Sequence, residues 1–255
     1  MNNVRTVSDT KRAFHTAHTR PINSVYRRVV EELMVEMHLL TVGSNFSYTS
    51  VYALGVVTTY DRFMAGYQPE SDRNSIFSAL CTSAGQKEAS QFRQDAAALL
   101  ESAKGLSLDD AVAALTQQGN STVVKDAVQP LVDGTTKYSR LLGVGLYTIL
   151  EACDQELIKD KDKRSDLLKS ICDPLKLPFD KLDKDLDLYR GNLEKLAMAQ
   201  ETMKDILEAE RKQREQRAKA KEEAKLAKEN KVAESDEAET TASGSGSTAD
   251  QKTSE

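Results

Sequence analysis

The chain has 255 residues, a formal charge of −5 and no tryptophan, and its few Gly and Pro residues fall mostly between periodic segments. An abundance of Leu, Ala, Lys and Glu predicts an all-α class, and the acidic balance argues against nucleic acid as the main partner, because phosphate binding needs a basic surface. About the last fifty residues are poor in core-forming side chains, which leaves roughly 200 for one sizeable core or two small ones.

Charge is unevenly spread. Within residues 1–28, Arg5, Lys11, Arg12, Arg20, Arg27 and Arg28 face only Asp9, whereas the residues after Lys231 are acidic apart from Lys252. The cysteines Cys81, Cys153 and Cys172 have no metal-ligand or redox spacing and read as small core residues in a reducing compartment. Met1-Asn2-Asn3 leads directly into polar sequence, so no signal peptide is expected. The longest nearly apolar run, Leu141 to Leu150, covers about 15 Å as a helix, half of a bilayer's hydrocarbon core. A soluble or peripheral protein is expected.

In chain order, Ser8 is a candidate cap for a short helix carrying Ala13, Phe14 and Ala17, which Arg20-Pro21 ends. A helix from Ser24 to about Leu40 shows an apolar face of Tyr26, Val29, Val30, Leu33, Met37 and Leu40, with Glu31, Glu32 and Glu36 largely off it. Helices follow over Ser50–Ala65, Ser71–Ser83 and Lys87–Lys104, closed by Gly66 with Pro69, by Gly85 and by Gly105. Ser107-Leu-Asp-Asp has the form of a capping box opening a helix to Gln118, and Ser121–Leu131 is a helix interrupted by Pro130. Lys137 to about Lys159 is apolar on more than one face, as for a central helix, and its Gly143 and Gly145 predict close approach by another helix. A short helix over Asp166–Cys172 stops before Pro174.

The stretch from Asp180 to Asn230 contains no proline. Leu182, Leu186, Tyr189, Leu193, Leu196, Met203 and Leu207 recur in steps of four and three with Gln200 as the polar member, a heptad seam. Beyond Leu207 the seam positions are Glu210, Arg214 and Arg217, while pairs such as Glu208–Lys212 and Glu210–Arg214 still support a helix. The expectation is a multi-helix globular bundle over 1–180, a long protruding C-terminal helix over 181–230 with its seam ending near 207, and a disordered acidic tail over 231–255.

Little in the chain points to chemistry. His15 and His18 are three apart on the first helix and could share a face toward a metal or haem, but without a third ligand the polar-surface reading is preferred. Asp160-Lys-Asp-Lys-Arg-Ser-Asp lacks the glycine and the final glutamate of a calcium loop, and Gly143-Val-Gly145 lacks the strand and third glycine of a dinucleotide fingerprint. No phosphate-loop lysine motif, nucleophile elbow or Cys/His constellation is present. The N-terminal basic cluster is the best surface candidate: Arg12, Arg20, Arg27 and Arg28 are assigned to contact with anionic lipid or an acidic protein partner, against a solvated face neutralised by carboxylates elsewhere.

Three stretches together resemble a known family. They are Arg5–Phe14 continuing through His18–Ile22, Val25–Leu33 and Glu36–Leu40; Tyr138-Ser-Arg140 with Gly145-Leu-Tyr147; and Asp185–Lys195. Over about residues 4–205 the chain resembles the thylakoid-formation proteins, a photosystem II accessory group of cyanobacteria and chloroplasts. The resemblance implies an all-helical protein with a long C-terminal helix, no catalytic residue and no cofactor; from the residues themselves no metal site is expected. It implies a role in photosystem II biogenesis and repair through association with, and stabilisation of, the membrane-anchored FtsH-type protease complex of the thylakoid. Photosystem II subunits and anionic thylakoid lipid are further expected contacts. Chloroplast members carry a transit peptide and this chain opens without one, so the expected place is the cytoplasmic side of a cyanobacterial thylakoid. The rival is a helical haem or tetrapyrrole-binding enzyme or carrier with His15 or His18 as axial ligand. A coiled-coil dimer through the long helix is a third reading, set aside because the short seam is expected to pack on the protein's own body.

Overall fold

A computed structural model describes residues 5–242, with side chains described through Lys221 and at Glu223. Among the described residues the chain is helical without strands: α1 Val7–Ala17, α2 Ser24–Val42, α3 Ser50–Phe63, α4 Glu70–Ser83, α5 Ala89–Lys104, α6 Leu108–Leu115, α7 Thr122–Val132, α8 Arg140–Cys153, α9 Gln155–Lys159, α10 Lys161–Leu175 and α11 Phe179–Ala242. The all-α class and the long C-terminal helix are as expected. The end of the expected tail, 243–255, lies outside the described residues.

Local capping decides where several helices begin. Thr6, not Ser8, caps α1: its hydroxyl accepts from Asp9 N at 3.2 Å while the Asp9 carboxylate accepts from Thr6 N at 3.1 Å. Ser8 has Lys11 three residues on, which cannot return such a bond, so the reciprocal pair forms two positions earlier. The single helix expected over 137–159 is two, because Asp154 leaves helical geometry and its Oδ1 accepts from Leu157 N at 2.9 Å to start α9. Asp160 likewise caps α10 through Asp162 N and Lys163 N, so that helix starts well before Asp166. It also runs past Pro174 to Leu175, and Lys176 closes it in the left-handed region at φ 53°.

Residues Met1–Ala197 make one compact unit and Met198 onward a second. In the first, α3 and α8 cross at the centre with backbone against backbone. A Cβ on Gly55 would lie 1.7 Å from the Leu141 carbonyl oxygen, and one on Gly145 would lie 2.0 Å from that of Val51. The close approach expected at Gly145 is present, with Gly55 as its counterpart on α3, while Gly143 is approached by the Leu182 side chain of α11 and the Tyr138 ring. Every residue of α8 from Leu141 to Leu150 is buried.

Two apolar clusters flank this crossing. One gathers α5, α6, α7 and α10 around α8 and includes Leu182, Leu186 and Tyr189 of α11. The other packs α1, α2 and α4 on the opposite side of α3 around Phe14, Tyr26, Met37, Tyr60 and Phe77. Cys81 and Cys172 are buried and Cys153 is half-buried, and all three thiols are free.

The heptad seam is buried for only part of its length. Leu182, Leu186 and Tyr189 are in the core and Leu193 and Leu196 are half-buried, but Met203 and Leu207 are exposed. The expectation that the seam packs on the protein's own body through Leu207 is therefore corrected. Side chains 201–221 of the second unit, wherever described, are all exposed.

Candidate functional site

Asn23 opens α2 by accepting from Val25 N at 3.1 Å. The register that follows buries Tyr26, Val30, Leu33, Met34, Met37 and His38. Val25, Arg28, Val29, Glu32, Val35, Glu36 and Leu39 then fall outside that buried row, where α2 borders two neighbouring grooves.

The first groove has a volume of about 390 Å³ and lies between α2, α3, the start of α8 and the early turns of α11. Its walls are apolar: Val25, Val29, Leu33, Phe63 and Leu196. Arg28, Arg140 and Lys195 line it against one carboxylate, Glu32. Thr59, Tyr189 and Asn192 add polar groups, and the buried Thr59 hydroxyl has no hydrogen-bond partner in the protein. The second groove, along the C-terminal half of α2, shares Glu32 and Arg140 and adds Lys11, Val35 and Leu39. Leu39 and Val42 are 55% and 42% exposed, so this helix carries apolar surface in excess of what its own fold covers.

A polar cluster adjoins the grooves at Arg140, which lines both. Arg140 directs Nε and Nη2 to Glu36 Oε2 at 3.1 and 2.5 Å, and the Tyr138 hydroxyl donates to Asp185 Oδ2 at 2.8 Å. Burial raises the Glu36 pKa, and Arg140 only partly offsets it. Burial opposes the Arg140 charge, yet Glu36, with Glu32 and Asp185, keeps its pKa above the usual value. Burial pushes Tyr189 up to about 12. The phenol is neutral and the carboxylate and guanidinium are committed to each other, so the cluster is a rigid support and not an acid–base pair.

The basic residues singled out in the sequence are dispersed over α1, the α1–α2 connection and the start of α2. Arg12 pairs with Asp9 at 3.4 Å, Arg20 with the buried Asp72 at 2.6 Å and Arg28 with Glu32 at 2.8 Å, while Arg27 donates to the Ile22 carbonyl at 3.2 Å. Of the four, only Arg28 lines the first groove.

The histidine reading needs correction. His15 is exposed, but His18 is buried and its Nδ1 lies 3.0 Å from Ser75 Oγ on α4. His18 caps α1 with an extended backbone (φ −125°, ψ 102°), so it leaves the helical register and does not share a face with His15. His38 is also buried, with Nδ1 2.9 Å from Thr10 Oγ1. Among the described residues no three His, Cys, Asp or Glu side chains form a metal-ligating group. Burial raises the Cys81 thiol to about 12 and the Cys172 thiol to about 11, so neither is a thiolate near neutral pH. Among the described residues no helix is long and apolar enough to cross a membrane.

Sequence reasoning missed the groove and the Glu36–Arg140 pair. A signal was available: Val25, Val35 and Leu39 extend the apolar character of α2 beyond a single stripe, more than one buried face requires. Most of the groove's lining comes from the stretches that carry the family resemblance: Val25–Leu33, Tyr138–Arg140 and Asp185–Lys195. Distant segments notable in the sequence meet at one place in the fold.

The family model described as thylakoid formation protein matches residues 6–218. The chain is 52% identical to Protein Thf1 of Crocosphaera subtropica over 216 residues, 84% of this chain and 88% of that protein. It is 53% identical to Protein Thf1 of a Nostoc species over 221 residues, 85% of this chain and 94% of that one. A solved structure of Psb29 superimposes with a TM-score of 0.73 at 44% identity, covering 82% of this chain and 98% of that chain.

Proposed function

Because this chain belongs to the thylakoid formation protein family, we propose that it is a non-enzymatic accessory factor for photosystem II biogenesis and repair. It acts on the cytoplasmic side of the thylakoid membrane, by binding the membrane-anchored FtsH-type protease complex and stabilising its assembled form. Binding to the assembled state alone is enough to increase its population, without any bond being made or broken. The observation that carries this reading is the first groove: apolar walls with Arg28, Glu32, Arg140 and Lys195 among them, Arg140 being held in place by Glu36. Such a surface has the anatomy of a protein-docking site, with apolar anchorage inside a polar border.

The test is capture of FtsH-type subunits from detergent-solubilised cyanobacterial thylakoids on immobilised full-length chain, read by mass spectrometry. Wild type is expected to retain the protease, and Arg28→Glu with Lys195→Glu to retain at least about tenfold less. Arg12→Glu with Arg20→Glu and Arg27→Glu reports separately on the basic segment. No protease above the bead control with wild type would overturn the proposal.

A further inference from the structure

The residues of α11 beyond Ala197 sort by side. At about 100° per residue, Met203, Ile206, Leu207, Glu210, Arg214, Arg217 and Lys221 fall within about 50° of one direction. Glu201, Asp205, Glu208 and Glu215 fall within about 50° of the opposite direction. One side of the helix is thus apolar and then basic, with Glu210 as its single acid, and the other side holds the remaining carboxylates of residues 201–221. Met203, Ile206 and Leu207 are 39%, 55% and 59% exposed. Among the described residues Arg214, Arg217 and Lys221 enter no ion pair, whereas Arg12, Arg20 and Arg28 of the N-terminal cluster are each held by a carboxylate.

We propose that residues 203–221 are a membrane-contact strip that lies along the surface of an anionic lipid bilayer. Met203, Ile206 and Leu207 seat at the boundary between headgroups and acyl chains. Arg214, Arg217 and Lys221 meet anionic headgroups, and Glu201, Asp205, Glu208 and Glu215 face water. Apolar seating and electrostatic attraction add in such an in-plane amphipathic helix. The apolar edge is only three residues, so binding depends on headgroup charge and falls as salt rises. Glu210 also faces the bilayer, and Arg214, four residues on, is placed to offset it. A coiled-coil partner is a poorer occupant, because Glu210, Arg214, Arg217 and Lys221 take the seam positions of the heptad. Nucleic acid is poorer too, since its phosphates offer no apolar phase to Met203, Ile206 and Leu207. The strip takes over the lipid contact expected of Arg12, Arg20, Arg27 and Arg28. It rests on the proposed function only for the bilayer the protein meets, and uses a surface separate from the groove.

Flotation of the full-length chain with phosphatidylglycerol-rich vesicles tests it, with phosphatidylcholine vesicles as the neutral control. Wild type is expected to float with the first and not the second at about 100 mM salt, and to be released at about 500 mM. Each cation at an anionic surface is worth about fivefold in affinity, so Arg214→Glu with Arg217→Glu is expected to bind at least about twentyfold more weakly. Lys212→Glu with Lys219→Glu makes the same change of charge on the opposite side. It is expected to bind at least about tenfold better than that variant, because the helix width sets these charges about a Debye length back. Ile206→Gln with Leu207→Gln is expected to bind about tenfold more weakly at unchanged charge. The chain has no tryptophan, so a single introduced one reports its own surroundings. Leu207→Trp is expected to shift its emission to the blue on these vesicles, and Asp205→Trp to keep its solvent-exposed wavelength.

A wild type that fails to float, equal losses from the two reversed pairs, or equal blue shifts from the two tryptophan variants each overturn the proposal. So does lipid binding that is lost in Arg12→Glu with Arg20→Glu and Arg27→Glu but kept in Arg214→Glu with Arg217→Glu, which returns the contact to the N-terminal segment. Protease capture in detergent is read separately. Vesicle failure with capture intact removes this inference alone, and vesicle binding without capture leaves it standing and removes the proposed protease association.

Discussion

Arg140 sets both its Nε and its Nη2 on one carboxylate oxygen of Glu36, a residue 104 positions earlier in the chain. The pair ties the start of α8 to α2; Arg140 lines both grooves and Glu36 the second. Both side chains are only partly exposed, 35% for Arg140 and 19% for Glu36. Removing the guanidinium leaves a carboxylate whose ionised form is already disfavoured by burial. Arg140→Ala is therefore expected to cost about 2 kcal/mol, below the fully buried case because water still reaches the pair. Glu36→Gln with Arg140→Met, which removes both charges, is expected to cost less than Arg140→Ala alone. Urea unfolding of the three proteins checks the order.

The α3–α8 crossing makes a sharper prediction. Gly145→Ala or Gly55→Ala drives a methyl into a backbone carbonyl of the facing helix, which cannot move aside as a flexible side chain could. Each is expected to lose about 3 kcal/mol or more. Gly191, inside α11, has nothing within 4 Å of its would-be Cβ. Gly191→Ala should stabilise by roughly 0.5–1 kcal/mol, because it only restricts the unfolded chain and favours helix. Thermal melts of the three variants should therefore move in opposite directions.

His18 gives a pH dependence with a definite sign. Burial holds its pKa below the ordinary 6.5, Asp72 partly opposes that, and Arg20 and His15 add to it. As pH falls below 6.5 the unfolded chain takes up this proton before the folded one does. Stability from the neutral buried ring is thus present above pH 6.5 and is lost as pH drops toward the depressed folded value. His18→Gln, which cannot titrate, is expected to flatten the melting temperature below pH 6.5 relative to wild type. Differential scanning fluorimetry between about pH 7.5 and 5 measures this, and equal slopes would assign the dependence to other groups.

Burial along α11 predicts where the chain can be shortened. Ending it at Ala197 removes only the second unit, whose side chains over 201–221 are exposed wherever described. The melting temperature is expected to stay within about 2 °C of wild type. Ending it at Pro178 strips Leu182, Leu186 and Tyr189 from the core. At roughly 2–5 kcal/mol for each large side chain removed, that loss rivals the whole stability of a domain, and cooperative unfolding is expected to disappear.

Helical class, most helix positions and the long final helix were legible in the sequence, because a helix is announced by residues three and four apart and by its caps. The need for close approach at Gly143 and Gly145 was legible too, since glycine inside an apolar helix asks for a neighbour. Two local competitions were not: Thr6 prevailed over Ser8 through its reciprocal bond with Asp9, and Asp154 divided what periodicity presents as one helix. Only the tertiary structure decided the site. Val29, Arg140 and Tyr189 belong to three separate segments, and no local pattern reports that folding sets them around one groove. Only the fold, likewise, decided that His18 turns inward and that the apolar seam is left uncovered at Met203 and Leu207. Hydrophobic periodicity says which side of a helix seeks cover; whether a neighbour is there to supply it depends on contacts between residues far apart in the chain.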